Sequence, residues 1–421
     1  MDPLLLLKNF IRHHPHIDHH AHHIPNRYSA SHESDYPVEC VLIESWAHRL
    51  ETSHASLPSQ RAINQLGELY GTLCSTWEDV VAARTQYLKE DYNGMLRRSL
   101  HGTHMLLLSD PLVDGTYSDG DGLVQSREWH DRFAPSPMKI IVCIETIAES
   151  VLSDIMNEDR RSEESVWSLF RTKFLDAIEL AMSDSAVVAF KTDVCTRSGL
   201  DVAPTSPDDA SLTAALHRIL DLGSKKHGYK FEEKLVLDWM VLQIMKRNSS
   251  RYGGLSVKPL QFSTALTTDE MGRSETRPGR ENPILLQPII REYPGSPVVL
   301  LHAAYPYTKE AGYLASRYPV VFVDFSKVFP CISRDGQERI LRESLEIAST
   351  NRLLWSTGGQ IYPETFWLSN RQFRQALEKI LIEYVQCGDC NIMQAKNIAK
   401  DILFNNANKL YSLGQTAEYS L

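Results

Sequence analysis

The amino-acid sequence predicts an α/β fold, a (β/α)8 TIM-type barrel with long loop insertions and a C-terminal helical cap. Three observations carry the prediction. Eight short apolar runs alternate with amphipathic segments of helical period, most runs are apolar on both faces, and 421 residues suit one barrel with insertions. Residues 1–421 therefore read as a single domain. A doubly wound open sheet is the competing arrangement of the same alternation.

The first strand is Ile17-Asp18-His19-His20-Ala21-His22-His23. Extended backbone turns Asp18, His20 and His22 to one face, and two imidazoles one residue apart can grip one metal ion. The competing reading is a solvated His-rich tract, because His13, His14 and His16 crowd the same stretch. Residues 30–100 then read as helical, with turns at Pro37 and Pro58.

The remaining strands fall at His104–Ser109, Lys139–Glu145, Ala186–Lys191, Leu260–Ser263, Val298–His302, Val320–Phe325 and Leu353–Thr357. Helices are expected between them at Ser165–Met182, Asp208–Leu222, Phe231–Arg247 and Asp335–Ala348. Two insertions interrupt the alternation. Residues 110–137, with Pro111, Gly115, Gly120 and Gly122, form a long loop after a strand, and residues 249–283 surround the fifth strand. Within the second, Thr267–Pro283 reads as mobile. Loops that follow strands build the active face of a barrel. The tail from Arg371 to Leu421 reads as wholly helical, a cap on the barrel.

Lys plus Arg number 44 against 53 Asp plus Glu, a net charge of −9. That balance argues against a nucleic-acid or anionic-membrane partner and suits a small molecule. Leu4–Leu7 ahead of Lys8 is too short for a signal-peptide core, and no run approaches a bilayer-spanning length. A soluble, cytoplasmic protein is expected, and a homo-oligomer is compatible with the sequence. Seven Cys fit reduced thiols, and Cys387-Gly-Asp-Cys390 reads as incidental.

In a barrel, chemistry gathers where strands end. His20 and His22 on the first strand, Lys191 closing Val187-Val-Ala-Phe-Lys191, and His302 closing Val298-Val-Leu-Leu-His302 are the candidates. An unpaired buried ammonium is costly, so Lys191 needs a partner. It is either carbamylated, giving a carboxylate able to bridge metal ions, or paired with Asp193 or Glu145. His302 is either a ligand or a hydrogen-bonded buried histidine.

Segments along nearly the whole chain resemble the FluG-type amidohydrolases. They include His16-Ile-Asp-His-His-Ala-His22, Glu128-Trp-His-Asp-Arg-Phe-Ala-Pro-Ser-Pro137, Phe190-Lys-Thr, Arg197-Ser-Gly-Leu-Asp201 and Leu301-His-Ala-Ala-Tyr-Pro-Tyr307. Asp335-Gly-Gln-Glu338, Pro363-Glu-Thr-Phe-Trp-Leu368 and Asp401-Ile-Leu-Phe404 continue the match. The resemblance implies a metal-dependent barrel of the amidohydrolase superfamily, without the glutamine-synthetase domain that fungal FluG-like proteins carry after it. Ligation of ammonia to glutamate is therefore not expected. It also implies one or two divalent ions held by the first-strand HxH, a strand-four Lys, strand-five and strand-six His, and a strand-eight Asp. A metal-bound water would be the nucleophile and the Asp its proton acceptor.

The sequence departs from that pattern at the site itself. Ser263 stands at the strand-five histidine position, Gly358 at the catalytic Asp, Gln360 at the following His, Lys327 where an acid is expected, and Cys143 where an Arg is expected. Of the ligands, His20, His22, Lys191 and His302 survive, so the expectation is one zinc ion in an incomplete site or no metal. Catalytic roles fall to Lys191, His302 and Asp18, and substrate contacts to His130, Glu145, Ser263, Lys327, Tyr305 and Gln360. Tyr305 and Tyr307 form an aromatic wall or pack inward, and Arg197 and Asp201 pair with each other or cap a helix. Restoring the pattern with Gly358→Asp and Ser263→His should raise metal content.

Three functions follow. One is an enzyme acting on a small aromatic or amide-type metabolite in fungal secondary metabolism, by non-hydrolytic or weakly metal-dependent chemistry. Another is a pseudoenzyme that binds a metabolite or a partner, and the third an ordinary metal-dependent C–N hydrolase.

Overall fold

Eight parallel strands hydrogen-bond in sequence order: β1 His16–Ala21, β2 Thr103–Asp110, β3 Lys139–Cys143, β4 Val187–Thr192, β5 Leu260–Phe262, β6 Val298–Leu300, β7 Val321–Asp324 and β8 Leu353–Leu354. Beyond the end of β8, the Gly358 N–H donates to His20 O at 3.0 Å and the His22 N–H to Gly359 O at 2.9 Å. These bonds seam the last strand to the first. An order without reversal, joined at its two edges, is the barrel and not the doubly wound sheet. The computed structural model describes residues 2–24, 37–42, 54–110, 125, 127–157, 165–226, 228–251, 257–264, 279–360 and 362–417.

Apolar side chains such as Ile17, Leu107, Ile141, Val299 and Leu354 fill the barrel, and Phe404, Ala407 and Tyr411 close it from the C-terminal segment. The ring of Phe404 meets His104 near the start of β2 at 5.2 Å. The cap thus plugs the end where the strands begin and leaves the opposite mouth to the loops. Its helices are Pro363–Cys387, Ile392–Lys400 and Asn406–Leu410, joined by a π turn at Asp401–Asn405, and residues 413–417 are not helical. The wholly helical tail expected from Arg371 is corrected on that point.

Other boundaries also move. The chain opens with a helix, Pro3–His13, whose Leu7, Phe10 and Ile11 are buried against the rest. The Leu4–Leu7 run is thus part of this helix. Pro58 makes no turn; it sits in the first turn of Leu57–Tyr70 behind the N-cap Ser56, where a missing N–H costs nothing. Glu145 does not end a strand, because β3 stops at Cys143 and a helix runs from Ile144 to Asn157. The expected mobile segment Thr267–Pro283 lies largely outside the described residues, as do 111–124 of the first insertion.

Candidate active site at the barrel mouth

A register shift in β1 builds the histidine cluster. Asp18 is level with Leu106 and Ala21 with Leu108, so three steps along β1 match two along β2, the signature of a bulge. Before it, Ile17 packs inside the barrel; after it, Ala21 packs outward on the helical layer, which leaves His20 and His22 turned to the mouth. Their rings lie 5.3 Å apart, and His20 stands 5.2 Å from His302. Burial, reinforced by the charge of Lys191, holds both His20 and His22 well below the usual imidazole range, so they are neutral.

Asp18 does not share that face. Its Oδ1 accepts the Thr357 N–H at 3.1 Å and its Oδ2 the Thr357 hydroxyl at 2.5 Å, clamping the end of β8 to β1. Burial lifts its carboxyl to about 6 against those bonds. The expected alternation is overturned by the bulge, and the carboxylate is committed to the seam.

His302 sits in a left-handed turn, with φ of 59°, 54° and 47° at His302, Ala303 and Ala304. Such angles cost an L-residue about 1–2 kcal/mol each, so the turn is held by its surroundings. Its Nδ1 lies 2.7 Å from Thr264 O. A carbonyl only accepts, so the proton in this contact is carried by Nδ1.

Of the two partners the sequence offered Lys191, Asp193 is the one found. Nζ lies 3.7 Å from Asp193 Oδ1. Burial acts to raise the Asp193 carboxyl, but Lys191, Arg197 and a hydrogen bond from Ser263 outweigh it and hold it below the usual range. Ser263, at the position of the missing histidine, thus serves this carboxylate. Glu145 is fully buried beside it, accepting from the Thr192 hydroxyl at 2.5 Å and the Asp193 N–H at 3.1 Å. Burial raises the Glu145 carboxyl, against the pull of Arg197 and the hydrogen bond from Thr192. Cys143 Sγ, 3.3 Å from Glu145 Oε2, completes the group. Arg197 pairs with Glu149 at 2.5 Å and Asp201 with Lys234 at 3.6 Å, so the expected Arg197–Asp201 pair does not form.

At strand eight the loss of the acid is a rebuilt backbone. Gly358 has φ of +65°, and a Cβ there would stand 2.7 Å from Lys327 N and 2.8 Å from Lys327 Cβ. Lys327 itself has φ of 62° and donates its N–H to Thr357 O at 3.1 Å. The two departures from the family pattern are one feature: an Asp side chain at 358 would collide with the lysine's backbone. Gly358→Asp in the double variant with Ser263→His would meet that contact, so Lys327 has to move before an acid can be seated there. Burial brings the Lys327 amine down to about 8.

The structure brings together His20, His22, Lys191, His302, Ser263 and Glu145, with Lys327 close enough for its charge to act on His22. It does not bring His130, whose Nε2 accepts the Ile24 N–H at 3.0 Å and fixes the exit of β1. Tyr305 is half-buried against the main core, and the Gln360 N–H is turned to Thr365 Oγ1 at 3.2 Å. Sequence reasoning missed Asp193 as a mouth residue and the His19–Asp324 pair, 3.0 Å apart and fully buried in the barrel. Polar residues at alternate positions, Lys191 with Asp193, were the available signal for the first.

The residues do not fit a resident divalent ion. Among the described residues no three His, Cys, Asp or Glu side chains converge as a metal-holding group. The donors at the mouth are neutral imidazoles beside two ammonium groups, and the nearest carboxylate already faces Lys191. The strand-five imidazole and strand-eight carboxylate that would complete the donor set are Ser263 and Gly358 here.

A family model described as Amidohydrolase matches residues 259–413. Two solved structures share the fold over 97% of this chain and of theirs. One is a protein described as a metal-dependent hydrolase from Lactobacillus casei (23% identity, TM-score 0.71). The other is uronate isomerase from Thermotoga maritima (14%, 0.62). The family match and a 42%-identical relative make this protein a member of the amidohydrolase superfamily. Within it the protein is FluG-type: it is 42% identical over 99% of its length to Protein fluG from Emericella nidulans. The chain spans about half the length of that curated relative, 48%.

Proposed function

We propose that this FluG-type barrel binds a small aromatic or amide-type metabolite at its mouth. It acts there by non-hydrolytic acid–base chemistry, as a cytoplasmic protein of fungal secondary metabolism. The observation that carries the reading is the rebuilt strand-eight end, where Gly358 packs on Lys327. Hydrolysis on this scaffold needs a carboxylate there to take a proton from water, and the seam leaves no room for one. Lys191, the three imidazoles and Lys327 remain to orient a ligand and to hold or pass protons.

The test is metal content by elemental analysis of protein made without added metal, paired with thermal unfolding with and without chelator. We expect well under one ion per chain and an unfolding temperature that chelator leaves unchanged. One tightly held ion per chain, with a large chelator-induced drop, would overturn the reading in favour of the metal-dependent C–N hydrolase. A non-catalytic metabolite binder is the second reading, favoured by the same missing carboxylate.

A further inference from the structure

We propose that Asp193 is the ligand-recognising carboxylate of this barrel, accepting an amide or ammonium N–H from the bound metabolite beside a second polar contact at His20. This rests on reading the mouth as a small-metabolite site. Among the described side chains, the other acids near the strand ends are engaged: Asp18 with Thr357, Glu145 with Thr192 and the Asp193 N–H, Asp324 with His19, Ser326 and Ser356. All three are fully buried. The Asp193 side chain keeps 33% of its surface exposed.

It is also fixed from behind. Ser263 donates to it, Cys143 Sγ approaches Oδ2 at 3.9 Å, and Lys191 Nζ stands 3.7 Å from Oδ1. That last distance exceeds a hydrogen bond, so the ammonium supplies field and leaves the oxygen open to a donor. A carboxylate aimed in advance loses little freedom on binding.

His20 is the independent mark of a ligand. The residue is 2% exposed and its Nδ1 makes no hydrogen bond, although its ring lies against His302. A buried polar atom left without a partner costs free energy, and a ligand group seated at the mouth removes that cost. Asp193 and His20 both lie within reach of the Lys191 charge.

The experiment is ligand-observed NMR of the full chain with three probes of similar shape and different charge: benzamide, benzylammonium and benzoate. Benzamide and benzylammonium should bind the wild type. Asp193→Asn should weaken benzylammonium about 10- to 100-fold, the worth of one charge-assisted hydrogen bond, and leave benzoate unchanged or tighter. Ser263→Ala keeps the charge but frees the carboxylate, and should weaken benzylammonium severalfold. A merely structural role would weaken all three probes alike. Equal benzylammonium affinity in the wild type and Asp193→Asn, a wild-type preference for benzoate, or failure of all three to bind overturns the inference. Where Asp193→Asn does not fold, unchanged affinity in Ser263→Ala does so. The metal-content measurement stands apart from these outcomes and decides the proposed function by itself.

Discussion

Replacing Gly358 by Ala tests the rebuilt seam directly. The added Cβ meets two separate penalties. An L-residue at φ of +65° costs about 1–2 kcal/mol. The methyl would also stand 2.7 Å from Lys327 N and 2.9 Å from Lys327 Cα, and backbone cannot swing aside as a flexible side chain can. Relief requires moving Lys327 against its bond to Thr357 O, and overpacking of this kind costs about 1–3 kcal/mol. The total is about 2–5 kcal/mol. Gly388 supplies the control: its φ is +85°, and nothing lies within 4 Å of its would-be Cβ, so Gly388→Ala meets only the first penalty. Urea unfolding of both variants, with the slope held to the wild-type value, should show Gly358→Ala less stable than Gly388→Ala by about 1–3 kcal/mol. Equal losses within about 0.5 kcal/mol would refute the claim that Gly358 and Lys327 form one packed unit.

Other consequences are as direct. Burial lowers His14 from 6.5 to about 4, so the unfolded chain binds the extra proton between those values; the contribution is complete above pH 6.5 and lost as pH falls toward 4, about 3 kcal/mol in all. His14→Phe, which keeps the stack on Phe10, should flatten that part of the stability–pH curve. Lys327→Met should stabilise the protein by up to about 2 kcal/mol at pH 7, since the amine's lowered value of about 8 means its burial disfavours the charged form there. It should also remove the gain the wild type shows between pH 8 and 10.5, read by thermal unfolding across pH. Tyr411→Phe takes the hydroxyl from between His19 Nδ1 at 3.1 Å and Gln261 Nε2 at 2.9 Å, and should cost about 1–3 kcal/mol in urea.

The strand-helix alternation and the strand-end positions of Lys191 and His302 were legible in the sequence because each is written locally. Apolar runs such as Val298–Leu300 and Val321–Asp324 report burial on both faces, and a residue ending such a run, like Lys191 or His302, lies at a strand end in any barrel. The same local logic failed at Asp18. Its partner, Thr357, is 339 residues away, and a bulge that no periodicity announces turned His20 and His22 to the mouth without it.

The sequence by itself determined the fold class, the surviving imidazoles and the positions where the family's acid and histidine are gone. Tertiary structure alone decided what those losses mean. That Gly358 is the space Lys327 occupies, that Ser263 serves Asp193, and that Asp193 faces solvent while Glu145 does not, are facts of distance between strand ends. Interaction energies depend on those distances and on burial, and neither is encoded in the spacing of residues along the chain.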